Sequence, residues 1–208
     1  DTVGRLYAAG LDTCFNFGVQ VDDKDTTAMI AGFYQGGLGL PERDYYFRPD
    51  EKSADIRQAY VTHVARTLEL AGATPADAKG AADAILVLET KLAKASRTLV
   101  ERRDPEKNYN KFERTALAKQ APAFAWAGFF RHINFPETEK TVLVGQPEFF
   151  TALGELFRSE SPAVWRDYLR WQVLRQSSDY LSRAFVDEHF AFYGKKLSGT
   201  TELKPRWK

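Results

Sequence analysis

Few side chains in this sequence are free to do chemistry: three histidines (His63, His132, His189) and a single cysteine (Cys14) among carboxylates and basic residues. Zinc held on a helix needs two imidazoles one turn apart, as in H-E-x-x-H, so that both rings reach one ion. The three histidines are widely separated, and Phe192 and Tyr193 occupy the turn after Glu188-His189 where a second ligand belongs. The spacing assigns each histidine to packing or surface, and no residue to catalysis or metal binding. Asp22, Asp23 and Asp25 lack the glycine and terminal glutamate of a calcium loop and read as a solvated hairpin turn. Gly36-Gly37-Leu38-Gly39 lacks the G-x-x-x-x-G-K-[ST] pattern of a phosphate cradle and reads as a turn. Arg97, Arg102, Arg103, Lys107, Lys111 and Arg114 form a basic stretch suited to a phosphate or a peptide carboxylate. Glu101, Asp104, Glu106 and Glu113 interleave with it and dilute it into a solvated face. Cys14, with no base beside it in sequence, is a small apolar filler.

The elements that would position these groups follow from composition and period. With 208 residues, 44% hydrophobic and 13% aromatic, the chain can bury a thick core without disulfides. A net charge of +1 argues against a general affinity for nucleic acid or an anionic membrane, and no apolar run reaches the ~20 residues of a membrane span. One cysteine leaves the compartment open, and the first residues lack a signal peptide's basic start and apolar run, so such a peptide is expected to have been removed or the chain to derive from something longer. A short helix is expected over Val3–Gly10. Phe15–Val21 alternates with period two, and a polar turn leads to a returning strand over Thr26–Tyr34, together a β-hairpin. From Asp50 the period becomes helical, with Ile56, Tyr60, Val64 and Leu68 on one stripe. Thr74-Pro75 starts a second helix carrying Ala78, Ala81, Ile85, Leu88, Leu92 and Ala95 through about Leu99. The same start grammar recurs at Asp104-Pro105, Gln146-Pro147 and Ser161-Pro162. Phe124–Ile133 reads as a short aromatic helix and Thr141–Val144 as a strand. A last helical stretch, Pro162–Lys196, carries Trp165, Tyr168, Leu169 and Gln172 in register and divides at Ser177-Ser178. The expected fold is mainly α, a multi-helix domain with a β-hairpin near its N-terminus, and one domain is the simpler count.

One segment carries more. Gly37-Leu38-Gly39-Leu40-Pro41-Glu42-Arg43-Asp44-Tyr45-Tyr46 resembles the G-L-G-L-P-x-R-D-Y-Y signature of the neprilysin, endothelin-converting-enzyme and bacterial oligopeptidase O family of zinc metallopeptidases. Other landmarks agree in order: the Asp22-Asp23-Lys24 turn, Leu88-Glu89 before Arg103-Asp104-Pro105, Tyr109-Asn110-Lys111, and Tyr193-Gly194 followed by Pro205-Arg206-Trp207-Lys208.

The resemblance implies part of the family's amino-terminal helical domain: one fragment over 1–208, with the hairpin at about 13–35 and the helical part at about 50–198. It implies a thermolysin-like catalytic domain of the same parent chain as partner, peptides as substrates of the intact enzyme, and zinc as a cofactor of that other domain rather than of this chain. The expected function is a non-catalytic cap that walls a chamber and restricts substrate size; the alternative is a stand-alone helical binding module. Gly37, Gly39, Pro41, Arg43, Asp44, Tyr45 and Tyr46 are expected to be scaffold, with Arg43 and Asp44 paired and the tyrosines packed behind. No substrate-binding residue follows from the sequence, and no nucleic-acid or membrane contact is expected from this segment. The resemblance implies the periplasm, the cell envelope or outside the cell, and the lone cysteine is more like a bacterial member than a cysteine-rich animal one.

Overall fold

The computed structural model describes residues 1–203; Pro205, Arg206, Trp207 and Lys208 of the closing motif lie outside the described residues. Of the described residues 57% are helical, so the mainly α expectation holds. The chain divides into two compact units. The first comprises Asp1–Leu38 and Lys91–Pro162, the second Gly39–Thr90 and the chain from Ala163 onward.

The first unit is built on the expected hairpin. Strand β1 (Phe15–Asp22) pairs antiparallel with β2 (Asp25–Gln35), matching Phe15 to Gln35 and Phe17 to Phe33. Later in the chain, β3 (Lys111–Glu113) and β4 (Thr141–Val144) extend the sheet in the order β1-β2-β4-β3, with β4 parallel to β2 and antiparallel to β3. Because inward side chains alternate, Phe15, Phe17 and Phe33 share a face. Helix α1 (Thr2–Ala8) and helix α5 (Trp126–His132) supply further rings, as does α6 (Pro147–Ser159), which has proline in its first turn as expected. Phe15 is fully buried, its ring 4.9–6.0 Å from those of Tyr7, Phe33, Phe124, Trp126, Phe129 and Phe150. Aromatic side chains bury about 150–250 Å² each, so this cluster supplies a large share of the unit's buried apolar surface. α6 packs closely because residue 154 is glycine; a Cβ there would lie 2.7 Å from the Ala121 backbone.

The second unit is helical. Helix α2 (Glu51–Leu70) starts where Asp50 accepts the Ser53 N–H at 2.9 Å, a normal N-cap, and buries Ile56, Tyr60, Val64 and Leu68. It stops at Gly72, whose φ of 92° suits a residue without Cβ. Helix α3 (Pro75–Ala95) opens with Thr74 accepting the Asp77 N–H at 3.2 Å while donating to its carboxylate at 2.7 Å. Helix α7 (Pro162–Ser177) follows, then a single 3₁₀ turn at Ser178–Tyr180, helix α8 (Arg183–His189), and a π-helical continuation over Phe190–Leu197. The break falls at the expected serines, and Ser178 Oγ turns back to donate to the Leu174 carbonyl at 2.7 Å. Tyr60, Val64, Leu68, Ile85, Leu88, Trp165 and Tyr168 are buried as their stripes predict, whereas Leu169, Ala81 and Ala95 are only half-buried.

The differences have local causes. No helix starts at Asp104-Pro105. Asp104 caps only one turn, accepting the Lys107 N–H at 3.0 Å, and Asn108 Nδ2 seals it by donating to the Glu101 and Asp104 carbonyls. The chain then enters β3, too short at three residues to show a period. Helix α3 ends at Ala95, short of Leu99, because Thr98 and Glu101 form a new reciprocal cap three residues on. Helix α4 (Arg114–Gln120) follows β3 without any proline start.

Candidate functional site

The signature segment builds its environment from the backbone outward. Gly37 takes φ 77°, a left-handed value that glycine adopts without strain. Gly39 is required by a close approach: a Cβ there would stand 1.9 Å from the Tyr60 hydroxyl. Pro41 is exposed. Residues Arg43–Tyr46 form one 3₁₀ turn in which Arg43 pairs with Asp44 at 3.2 Å, and Arg57 holds the Tyr45 carbonyl at 2.9 Å. Tyr46 turns inward. Its hydroxyl accepts the Leu40 N–H at 3.0 Å and donates to Glu89 Oε2 at 2.7 Å.

Glu89 is the centre of this arrangement, fully buried on α3 one helical turn after Ile85. Tyr60 Oη donates to its carboxylate, 2.8 and 2.9 Å from the two oxygens, and itself accepts Trp171 Nε1–H at 2.9 Å. Gln172 Nε2 lies 3.4 Å from Oε1, and Arg175 donates to Gln172 Oε1 at 2.8 Å. Tyr193 in the π-helical segment closes the other side, donating to the Gly39 carbonyl at 2.9 Å. Burial lifts the Glu89 carboxyl to about 7, against the opposing hydrogen bonds of Tyr46 and Tyr60 and the charge of Arg175. Burial also raises both tyrosines well above their ordinary range. A carboxylate so enclosed touches no solvent, so no substrate atom reaches it in this state.

Two histidines come together in the second unit. His63 is 2% exposed, its Nδ1 2.9 Å from Glu188 Oε1 and its ring stacked on Phe192 at 5.0 Å. His189 lies 6.3 Å away, ring to ring, and burial lowers its pKa. His63 Nε2 and His189 Nδ1 are buried without a hydrogen-bond partner. His132 belongs to the first unit, 3.6 Å from the Asp1 carboxylate. Among the described residues no three His, Cys, Asp or Glu side chains are grouped to hold a metal ion. The described donor set does not fit a catalytic zinc.

In the first unit the acidic turn and the basic stretch are solvated as expected at Asp23, Asp25, Arg102, Arg103, Lys107 and Lys111, but Asp22 and Arg97 correct that expectation. Asp22 is buried. Its carboxylate takes Lys111 Nζ at 2.8 Å, Tyr109 Oη at 2.7 Å and the Lys24 N–H at 3.0 Å. These bonds, Lys111 foremost, lower it to about 2. Arg97 has a side chain only 10% exposed, forks onto Glu148 and donates to the Lys107 carbonyl at 2.8 Å and the Gly145 carbonyl at 3.1 Å. Arg102 and Arg103 do face solvent. Cys14 is buried filler, its thiol pushed up to about 12 by burial. What residue-by-residue reading missed is Glu89 as a hub; the available signal was a carboxylate standing on the apolar stripe of α3, where a charge must be paired.

The family profile described as Peptidase family M13 matches residues 1–208. An endothelin-converting enzyme homologue of Locusta migratoria is 31% identical over the whole chain, which spans 29% of that protein. Human endothelin-converting enzyme 1 is 27% identical over 93% of the chain and is matched over 26% of its own length. The open-state structure of Mycobacterium tuberculosis zinc metalloprotease 1 superposes over 99% of the chain with a TM-score of 0.93 and 34% identity, and 32% of that protein is covered. The chain thus spans about a quarter to a third of the relatives it matches.

Proposed function

Since the chain belongs to peptidase family M13, as the amino-terminal domain of a zinc metallopeptidase, we propose that it is the non-catalytic helical cap of a zinc metalloendopeptidase. In this reading residues 1–208 are one fragment of that domain and wall a chamber that admits peptides and excludes folded proteins. The catalytic thermolysin-like domain of the same parent chain is its partner and holds the zinc; the parent works in the periplasm, in the cell envelope or outside the cell. No helix among the described residues is long and apolar enough to cross a membrane.

The observation that carries the reading is a family match over residues 1–208 by a chain that spans about a quarter to a third of its relatives. Gly37, Gly39, Pro41, Arg43, Asp44, Tyr45 and Tyr46 then act as scaffold. Supporting this, the segment turns the Tyr46 hydroxyl inward to a buried carboxylate and pairs Arg43 with Asp44 within itself.

The test joins the chain to the rest of its parent. The 208-residue chain alone should hold no stoichiometric zinc and cleave no peptide. The joined protein should show chelator-sensitive cleavage of short peptides while sparing folded proteins. One tightly held zinc per isolated chain, or chelator-sensitive cleavage by it, overturns the proposal. A catalytic part that is equally active and equally selective without this chain favours a stand-alone binding module.

A further inference from the structure

Of the basic stretch, Arg102, Arg103 and Arg114 have no carboxylate partner among the described residues, and only Arg114 of the three is half-buried rather than exposed. Arg97, Lys107 and Lys111 in that stretch are each neutralised by a carboxylate. Arg114 is half-buried, and among the described residues no carboxylate lies within ion-pair distance of it. Its guanidinium lies 5.4 Å from the Phe130 ring centre and 6.0 Å from that of Phe135, and it spends one donor on the Pro136 carbonyl at 3.3 Å. A guanidinium carries five N–H donors, and partial burial strengthens its attraction for an anion placed against it.

The same residue lines an open cavity of about 720 Å³ in the first unit, between α4, α5 and the turn that follows. Trp126, Phe130 and Phe135 supply apolar walls, and Arg131 brings a second guanidinium. Asn134 at its edge has φ 52°, the one positive φ outside glycine among the described residues. Glu137 also lines it, so two guanidiniums face one carboxylate and leave a single net positive charge. The size lies within the ordinary range of small-molecule sites, in which apolar walls meet a few polar groups.

We propose that this cavity binds a small amphiphilic monocarboxylate, with its carboxylate on Arg114 and its hydrocarbon or aryl body against Phe130, Phe135 and Trp126. The single net charge matches a monoanion better than a phosphate dianion. The aromatic floor holds the guanidinium by cation–π attraction while its remaining donors serve the ligand. The assignment is independent of the proposed peptidase role.

Calorimetric titration of the chain with 4-phenylbutyrate, and in parallel with the neutral alcohol of the same skeleton, tests it. The acid should bind saturably, and the alcohol about tenfold more weakly, because a charge-assisted pair is lost. Arg114→Gln should weaken the acid about tenfold and leave the alcohol unchanged. Absence of saturable acid binding overturns the proposal, as does equal binding of acid and alcohol by the unmodified chain, a comparison that requires no variant to fold.

Discussion

Phe15 in the first unit and Glu89 in the second are both wholly buried, each at the centre of an aromatic cluster, yet the two clusters are organised on different principles. Around Phe15 the rings meet one another face and edge, and shape is what matters. Around Glu89 the rings of Tyr46, Tyr60 and Trp171 are polar at one end and connect, directly or through a hydroxyl, to one carboxylate. The first kind of core is tolerant of pH and sensitive to volume. The second is sensitive to a single atom, because each donor aimed at Glu89 is left unsatisfied if the acceptor goes.

The largest expected effect lies in the first unit. Phe15→Ala should cost about 3–5 kcal/mol by denaturant unfolding, the usual range for a buried phenylalanine, with no change in its pH dependence. A loss below about 1 kcal/mol would mean the surrounding rings refill the space, and the contrast would collapse.

The second unit should show the pH dependence instead. Glu89 has a folded pKa of about 7 against an ordinary 4.5, so between these values the folded chain keeps a proton that the unfolded chain has released. Stability from this group is therefore fully present below about pH 4.5 and is lost as pH rises through 7, by an amount on the order of a few kcal/mol. Glu89→Gln, neutral at every pH, should erase that slope. His189 works in the opposite sense: its lowered pKa means stability falls as pH drops below 6.5. The difference between the unmodified chain and Glu89→Gln, followed from pH 4 to 8, isolates the carboxylate, and identical profiles refute the assignment.

The smallest effect sharpens the comparison at one hydroxyl. Tyr46→Phe keeps the ring but strips Glu89 of one donor and the Leu40 N–H of its acceptor. A cost of about 1–2 kcal/mol is expected from thermal or denaturant unfolding; a neutral outcome would make the hydroxyl incidental.

The stripes and caps of α2 and α3 were legible because period and start signals there agree, and Phe15–Tyr34 was legible because its alternation is strict. The short elements were not. Three-residue β3 has no period, and Asp104-Pro105 obeys helix grammar yet is overruled by Asn108 sealing the turn. Of the signature, the sequence alone supported a turn and an Arg43–Asp44 pair, both present. It did not reveal that Tyr46 reaches Glu89, because residues 43 positions apart in the chain have no local signal linking them. Asp22 and Arg97 were misjudged as solvated for the same reason, since the partners that bury them, Lys111 and Glu148, come from distant segments.

Both units are stitched from two stretches of chain, and this sets a clock on their synthesis. β2 is complete at Gln35, but its parallel neighbour β4 begins only at Thr141. At about 5–20 residues per second, the emerging hairpin waits roughly 5–20 s for that strand, with the edge it will later fill left open. α2 likewise waits for α7 and α8, which lie beyond Pro162. Neither core can close until its second stretch has left the ribosome, the first through Pro162 and the second with the residues that follow. Completing each core therefore adds contacts between remote segments to the local contacts of its helices, and loop closure sets when that step can happen.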